Sequence, residues 1–402
     1  MVRALLIRKA FRFRAYPTIE QISTLDRWND ALRSLWNLAL SQWKIDQARA
    51  REDRRYPTAF DQINQLTELR ADLPWIAEVP RNVCAQLLVA LNLAWQRCFK
   101  GLAERPNWKR KGKDFVNFCE PHPKAWRLKG DRLTFPKLRD IRLVVHRPLE
   151  GTPKTCTLSR DGDQWFVSIV CAVEILDPQP RLGPKVAFDR GIVNLAATSD
   201  GELIPGPQHL KASLKKLSRQ QRKLARKQKG SKNQTKQKIR VMKVHRKVRR
   251  QRHHDLHVLS SRYTKSHGVI VMEDLNVAGM IRGNCSLGIS DASWSTLKWF
   301  CQYKLDWTGG FLQLVPAAYS SQECSVCGHV DAKSRRSQSL FVCTKCGHTD
   351  HADINAAKVL LRRANRSALP VEGMLLEGTL RSRKVKKGLR VPRRSSSQSS
   401  GL

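Results

Sequence analysis

Cys324-Ser-Val-Cys327, then fifteen residues, then Cys343-Thr-Lys-Cys346 is the feature of this 402-residue chain that most limits what it can fold into. Each CxxC pair can present two thiolates to one tetrahedral ion, and Gly328 and Gly347 suit the tight turn that follows a metal knuckle. Four sulfurs fill the coordination sphere, so the spacing predicts a structural Zn²⁺ with no open position for catalysis. Two unrelated redox pairs would need a thioredoxin-like setting that the surrounding residues lack. The remaining seven cysteines, Cys84, Cys98, Cys119, Cys156, Cys171, Cys285 and Cys301, are scattered and read as small core residues, not as a disulfide framework.

Just after the second knuckle, Asp353 opens a helical pattern whose next residues, Asn355, Ala356 and Ala357, are small enough for close packing. Two other carboxylates sit in conspicuous places. Asp189 lies in KVAFDRG, inside an apolar strand just before a glycine turn, where an unpaired charge is expensive. Glu273 follows VIVM at the end of another buried-type strand. If they converge beside one sheet, Asp189, Glu273 and Asp353 suit a site for two Mg²⁺ ions about 3.5–4 Å apart, which stabilise the attacking and leaving oxygens in phosphodiester hydrolysis. Taken singly, each has a plainer reading: a turn residue, a surface acid and a helix N-cap.

Charge points to the partner. The chain carries 74 Lys+Arg against 34 Asp+Glu, a formal net charge of +40, which a compact state tolerates poorly without a polyanion. Nucleic acid is the partner expected, over an extended surface. A membrane is not expected, since no apolar run reaches eighteen residues and the basic segments carry few opposing Trp or Phe. The arginine-broken N-terminus MVRALLIRKAFRFRAYP does not read as a signal peptide, so an intracellular protein is the expectation. From Lys211 to Arg252 there are 19 Lys/Arg and no Asp or Glu. Leu210, Leu214, Leu217 and Leu224, then Ile239, Met242, Leu256 and Leu259, give that segment an apolar stripe broken at Gly230–Asn233. It reads as a basic helical hairpin, with Lys215, Lys216, Arg246, Arg249, Arg250 and Arg252 as phosphate contacts, because a merely solvated face mixes both signs.

The order of elements suggests a multidomain α+β chain. KAFRFRAYP alternates as a half-exposed strand, Thr18-Ile-Glu-Gln21 forms a capping-box pattern, and apolar residues at helical spacing continue through Trp43. A second helical block covers roughly residues 77 to 103. From Asn107 to about Val173, short β-rich runs separated by Gly, Pro and Asp suggest a small barrel, which the isolated first strand would complete with the helical block as an insertion. Pro178, Pro180 and Pro184 mark a boundary, and the serine- and arginine-rich end reads as a basic disordered tail.

KVAFDRGIVNLAATSDG, GVIVMEDLNV, the two knuckles and DHADINAAKVL resemble, in this order, the RuvC-like signatures of the TnpB family of transposon-encoded RNA-guided DNA endonucleases, relatives of the type V CRISPR effectors. FRFRAYPTIEQ, LWNLAL and WFVSIV are similar to that family as well, so the resemblance runs to about residue 362. It implies an RNase H-like (RuvC) nuclease domain with a zinc-ribbon insertion, plus a small β-barrel wedge domain carrying a helical recognition insertion. The divisions it implies are the first wedge strand at 1–16, recognition helices at 17–105, the wedge barrel at 106–180 and the nuclease domain at 181–320 with its hairpin at 209–266. A target-nucleic-acid-binding zinc ribbon at 321–349, the last nuclease helix at 350–366 and the tail at 367–402 complete the chain.

The resemblance makes Asp189, Glu273 and Asp353 the Mg²⁺-binding catalytic triad, with Asp350 the rival for the third place. It implies a guide RNA from the transposon end and a double-stranded target cut beside a short adjacent motif. A monomer with its RNA is the assembly this suggests. Two departures stand out: Arg190 replaces a usual aliphatic residue after the first aspartate, and His351-Ala352 replaces an acid-and-arginine pair. A nuclease-weakened RNA-guided repressor and a guide-free structure-selective nuclease are the competing readings.

Overall fold

The computed structural model describes residues 4–48, 56–181, 183–280, 288 and 291–366; Cys285 and the tail from 367 to 402 lie outside them. The chain divides into two compact units, one of Met1–Asp177 with Gln220–Lys243, the other of Pro178–Arg219 with Val244–Leu402.

In the first unit, β1 (Ala4–Tyr16) leads into α1 (Ile19–Ala48), α2 (Ala59–Asp72), the single turn α3 (Pro74–Ala77) and α4 (Arg81–Phe99). The capping box at the start of α1 forms as its residues dictate: the Thr18 N–H donates to Gln21 Oε1 (2.9 Å) and the Gln21 N–H to Thr18 Oγ1 (3.3 Å). Six short to medium strands follow: β2 (Phe118–Glu120), β3 (Arg127–Lys129), β4 (Arg132–Phe135), β5 (Leu138–Val144), β6 (Thr152–Asp161) and β7 (Gln164–Leu176). With β1 they form one antiparallel sheet in the order β2-β6-β7-β1-β5-β4-β3. The orphan first strand therefore does join the later strands, pairing β7 from Ala4↔Leu176 to Ala15↔Trp165 and β5 at Arg14↔Val144. The sheet stays open between β2 and β3, a half-barrel. Its inner face (Phe11, Phe13, Phe118, Val167, Ile169) shares one core with Leu25, Trp28, Leu32 and Leu40 of α1 and Leu88 and Leu91 of α4.

The second unit holds β8 (Lys185–Asp189), β9 (Asn194–Thr198), β10 (Leu203–Pro205) and β11 (Val269–Glu273), with helix α5 (His209–Ala225) and the long α6 (Lys232–Ser266) each divided between the two units. The short α7 (Val277–Met280), α8 (Trp294–Thr308), β12 (Phe311–Val315), the ribbon strands β13 (Leu340–Val342) and β14 (Thr349–His351), and α9 (Ala352–Arg366) complete it. Its sheet runs β10-β9-β8-β11-β12, antiparallel across the first three strands and parallel from β8 through β11 to β12. That mixed order is RNase H-like.

Period-2 alternation distributes the side chains of these strands over both faces. Val186 and Phe188 of β8 and Ile270 and Met272 of β11 share a core with Leu256 and Leu259 of α6 and Leu297, Phe300 and Leu305 of α8. Ala187, Val269 and Val271 point the other way, toward Leu360 and Ala364 of α9. Burial on both faces explains why VAF and VIVM read as unbroken apolar runs. It also places α9 against β8, β9, β11 and β12, bringing its first turn to the ends of the strands.

Candidate active site

Backbone pairing places two of the acids side by side. The parallel ladder between β8 and β11 ends at Met272↔Phe188, so Asp189 and Glu273 occupy the next position on adjacent strands. Glu273 pairs with Val315 on its other side, and Asp189 with Ala197 of β9. Asp353 enters from the first turn of α9. Its Oδ1 accepts from Arg335 Nη2 (3.0 Å), its Oδ2 from Asn194 Nδ2 (3.4 Å), and its backbone N–H donates to His351 Nδ1 (3.3 Å). Glu273 is buried, its Oε1 accepting from Ser320 Oγ (3.2 Å), while its backbone carbonyl accepts from Arg190 Nη2.

The electrostatics show what this proximity does. Burial pushes the Asp189 carboxyl up to about 8, the charges of Glu273 and Asp353 add to the rise, and Arg335 and Arg190 oppose it. Burial also raises Glu273, against the Arg190 guanidinium and the Ser320 hydroxyl. Asp189 and Glu273 are thus both held above the ordinary carboxylate range, and carboxylate oxygens are hard donors of the kind Mg²⁺ takes. Asp350, the rival third acid, sits in β14, paired with Lys358 Nζ at 2.7 Å.

The four knuckle cysteines also meet. Their sulfurs lie within 4.8 Å of one another, close enough to share one metal ion. Cys324 Sγ is 3.7 Å from Cys346 Sγ, and Cys327 Sγ is 3.6 Å from Cys343 Sγ. A tetrahedral Zn²⁺ with bonds of about 2.3 Å requires sulfur–sulfur edges of about 3.8 Å, so the quartet fits zinc. The two knuckles repeat one hydrogen-bond pattern: Gly328 and Gly347 N–H donate back to the Cys324 and Cys343 carbonyls at 3.0 Å, each glycine at a positive φ.

Sequence reasoning missed the side chains that fasten this ribbon to the acid-bearing elements. Asn355, fully buried, donates to the Glu323 carbonyl (2.8 Å) and accepts from the Ser325 N–H (2.9 Å), so its role is more than its small size. Glu323 takes Arg362 and Arg363 of α9 as ion-pair partners. Arg335 comes from between the knuckles. Nothing in local spacing marks these residues; the adjacent Arg335-Arg336 and Arg362-Arg363 pairs are the only sequence signal, and it is weak in so basic a chain.

The expected phosphate contacts separate into two kinds. Lys215, Lys216, Arg249 and Arg250 are exposed on α5 and α6. Arg246 is buried, and Arg252 is held by Asp291, with Nη2 at 2.6 Å. Of the scattered cysteines, Cys84, Cys156, Cys171 and Cys301 are buried and Cys98 and Cys119 half-buried. Among the described residues, no helix is long and apolar enough to cross a membrane.

Comparison with known proteins shows the family. Residues 168–283 match the IS605 OrfB family, described as "Probable transposase", and residues 294–360 match the "Cas12f1-like, TNB domain". Residues 1–50 match a "Helix-turn-helix domain" of the same OrfB group, although the described residues among them form β1 and α1. The chain is 30% identical over 373 residues to the Escherichia coli K12 protein named "Putative RNA-guided DNA endonuclease InsQ", covering 88% of this chain and 91% of that protein. It is 32% identical over 364 residues to a "Putative RNA-guided DNA endonuclease" of Streptomyces pristinaespiralis, covering 88% and 89%. A cryo-EM structure of a Cas12f1-sgRNA-target DNA complex superposes with a TM-score of 0.55 at 13% identity, over 88% of this chain and 98% of that one, a likeness of fold. The chain belongs to the TnpB-like IS605 OrfB family, the family of proteins named as RNA-guided DNA endonucleases.

Proposed function

We propose that this protein is an RNA-guided DNA endonuclease of a transposon, hydrolysing double-stranded DNA complementary to its guide beside a short adjacent motif. The observation that supports the reading is that Asp189 and Glu273 end adjacent strands, and that the charges of Glu273 and Asp353 both act on the buried Asp189. In this reading the three are the catalytic acids. Two Mg²⁺ bound there would activate water and stabilise the leaving oxygen.

The rest is the protein's own work. Ser320 orients Glu273, Asn194 and Arg335 orient Asp353, and the β8–β11 pairing fixes the spacing between Asp189 and Glu273. Cys324, Cys327, Cys343 and Cys346 would hold a structural Zn²⁺ that keeps Arg335 at the acids. Guide pairing would read most of the target, while the protein reads the adjacent motif and backbone shape. The exposed cations Lys215, Lys216, Arg249 and Arg250 suit the guide RNA backbone. The half-barrel and its helices correspond to the proposed wedge and recognition domains.

The test is to purify the protein from cells carrying its native locus and to sequence the RNA that accompanies it. One dominant structured RNA, ending in a segment that matches DNA beside the locus, supplies the target for a cleavage assay. Cleavage of that target should need Mg²⁺ and fall by about three orders of magnitude or more in Asp189→Ala. Cleavage that persists in this variant removes the acids from the mechanism; heterogeneous RNA, or none, favours a guide-free nuclease.

A further inference from the structure

Arg190 follows the first of the three acids, and its sequence context alone leaves two roles open, a phosphate contact or an action on the carboxylates. Burial speaks against the first. The residue is 6% exposed, with its guanidinium turned into the protein. Its Nη2 donates to the Glu273 backbone carbonyl, and its Nε is buried without a hydrogen-bond partner. The β8–β11 ladder ends at Met272↔Phe188, so Glu273 lies one residue past the last backbone rung. Beyond that rung the Arg190 side chain supplies the donor that β8 no longer provides.

Around this buried cation stand Glu273, Asp189 and Asp274. Guanidinium stays charged in proteins, and a buried charge persists only where opposite charge or hydrogen bonds compensate it. Arg190 and the acids therefore compensate one another.

We propose that Arg190 is a positioning residue that clamps the two acid-bearing strand ends together and supplies the positive charge that holds them while no divalent cation is bound. The inference rests on the reading of Asp189, Glu273 and Asp353 as the metal site. It has a thermodynamic signature. Without Arg190 the metal-free protein carries uncompensated carboxylates and loses stability, but a cation then relieves more repulsion on binding. Metal-free stability should fall while metal affinity rises, as linkage requires. A plain packing role would lower stability equally with and without metal.

The experiment uses the full chain with its zinc retained. Mn²⁺ binding is followed by electron paramagnetic resonance, and Tm is measured with and without Mn²⁺, for wild type, Arg190→Met and Arg190→Lys. Arg190→Met should lose about 5 °C without Mn²⁺ and regain most of it at saturation. It should also bind Mn²⁺ about tenfold more tightly. Arg190→Lys, which keeps a charge and a donor, should restore most of the metal-free Tm. If Arg190→Met does not fold, Arg190→Gln, which keeps a donor without the charge, should show the same tightening. Equal losses of Tm in both states with unchanged affinity overturn the proposal, and so does a Tm unchanged in both. Asp189→Asn separates the two levels: if it leaves Mn²⁺ binding intact, the metal-site reading itself fails, whatever Arg190 does.

Discussion

At the scale of single residues, Asp189 has the most unusual surroundings. Burial, Glu273 and Asp353 together push it up to about 8, far above an unfolded aspartate near 4. The metal-free folded protein thus binds a proton that the unfolded chain releases. This group's contribution is complete below about pH 4 and is lost as pH rises toward 8. In buffer without divalent cations, Tm should decline between pH 5 and pH 8.5, and Asp189→Asn should flatten that decline and be the more stable protein at the alkaline end. Parallel profiles for the two proteins would show that Asp189 is not perturbed. Asp189 and Glu273 are legible in sequence because a charge at the end of an unbroken apolar run is rare and needs a reason. Ser320, Arg335 and Asn194 are not, since each acts on an acid across at least 18 residues of chain, and only the fold brings them there.

Elements explain why a metal knuckle stands directly against a carboxylate-bearing helix. The ribbon returns the chain to the sheet, and α9 holds it through Asn355 and through Glu323 with Arg362 and Arg363. Asn355→Ala leaves a buried N–H and a buried carbonyl without partners, and should cost about 2–3 kcal/mol in denaturant unfolding. A loss below ~0.5 kcal/mol would mean that the clamp is dispensable. The basic hairpin divides by exposure in the same manner. Reversing Lys215, Lys216, Arg249 and Arg250 to Glu together should weaken RNA binding and flatten its salt dependence. Arg252→Ala should instead lower Tm, because it strands Asp291, whose carboxylate also accepts the Leu210 N–H (3.1 Å). The charge run reads the hairpin as basic; it does not distinguish a cation facing solvent from one tied to an acid 39 residues away.

For the whole molecule, a net charge of +40 sets the terms. Self-repulsion of that size opposes compactness, and a bound polyanion relieves it. Protein stripped of RNA by high salt should therefore show a lower Tm than the RNA-bound form, by roughly 5 °C or more when RNA greatly exceeds its Kd. Equal values would place the excess charge elsewhere than on RNA. The sequence by itself determined what depends on local chemistry and periodicity: the cysteine quartet, the apolar strands that end in acids, the helical blocks, the strong positive charge and the boundary near Pro178. Tertiary structure alone decided what depends on distance. It joined β1 to strands more than 120 residues away, brought the Asp353 charge to Asp189, and turned Arg190 inward to the Glu273 carbonyl. The reason is that spacing encodes which atoms a residue offers and how a segment pairs with its neighbours, whereas pairing across the fold is set by the sheet register and by which faces must be buried.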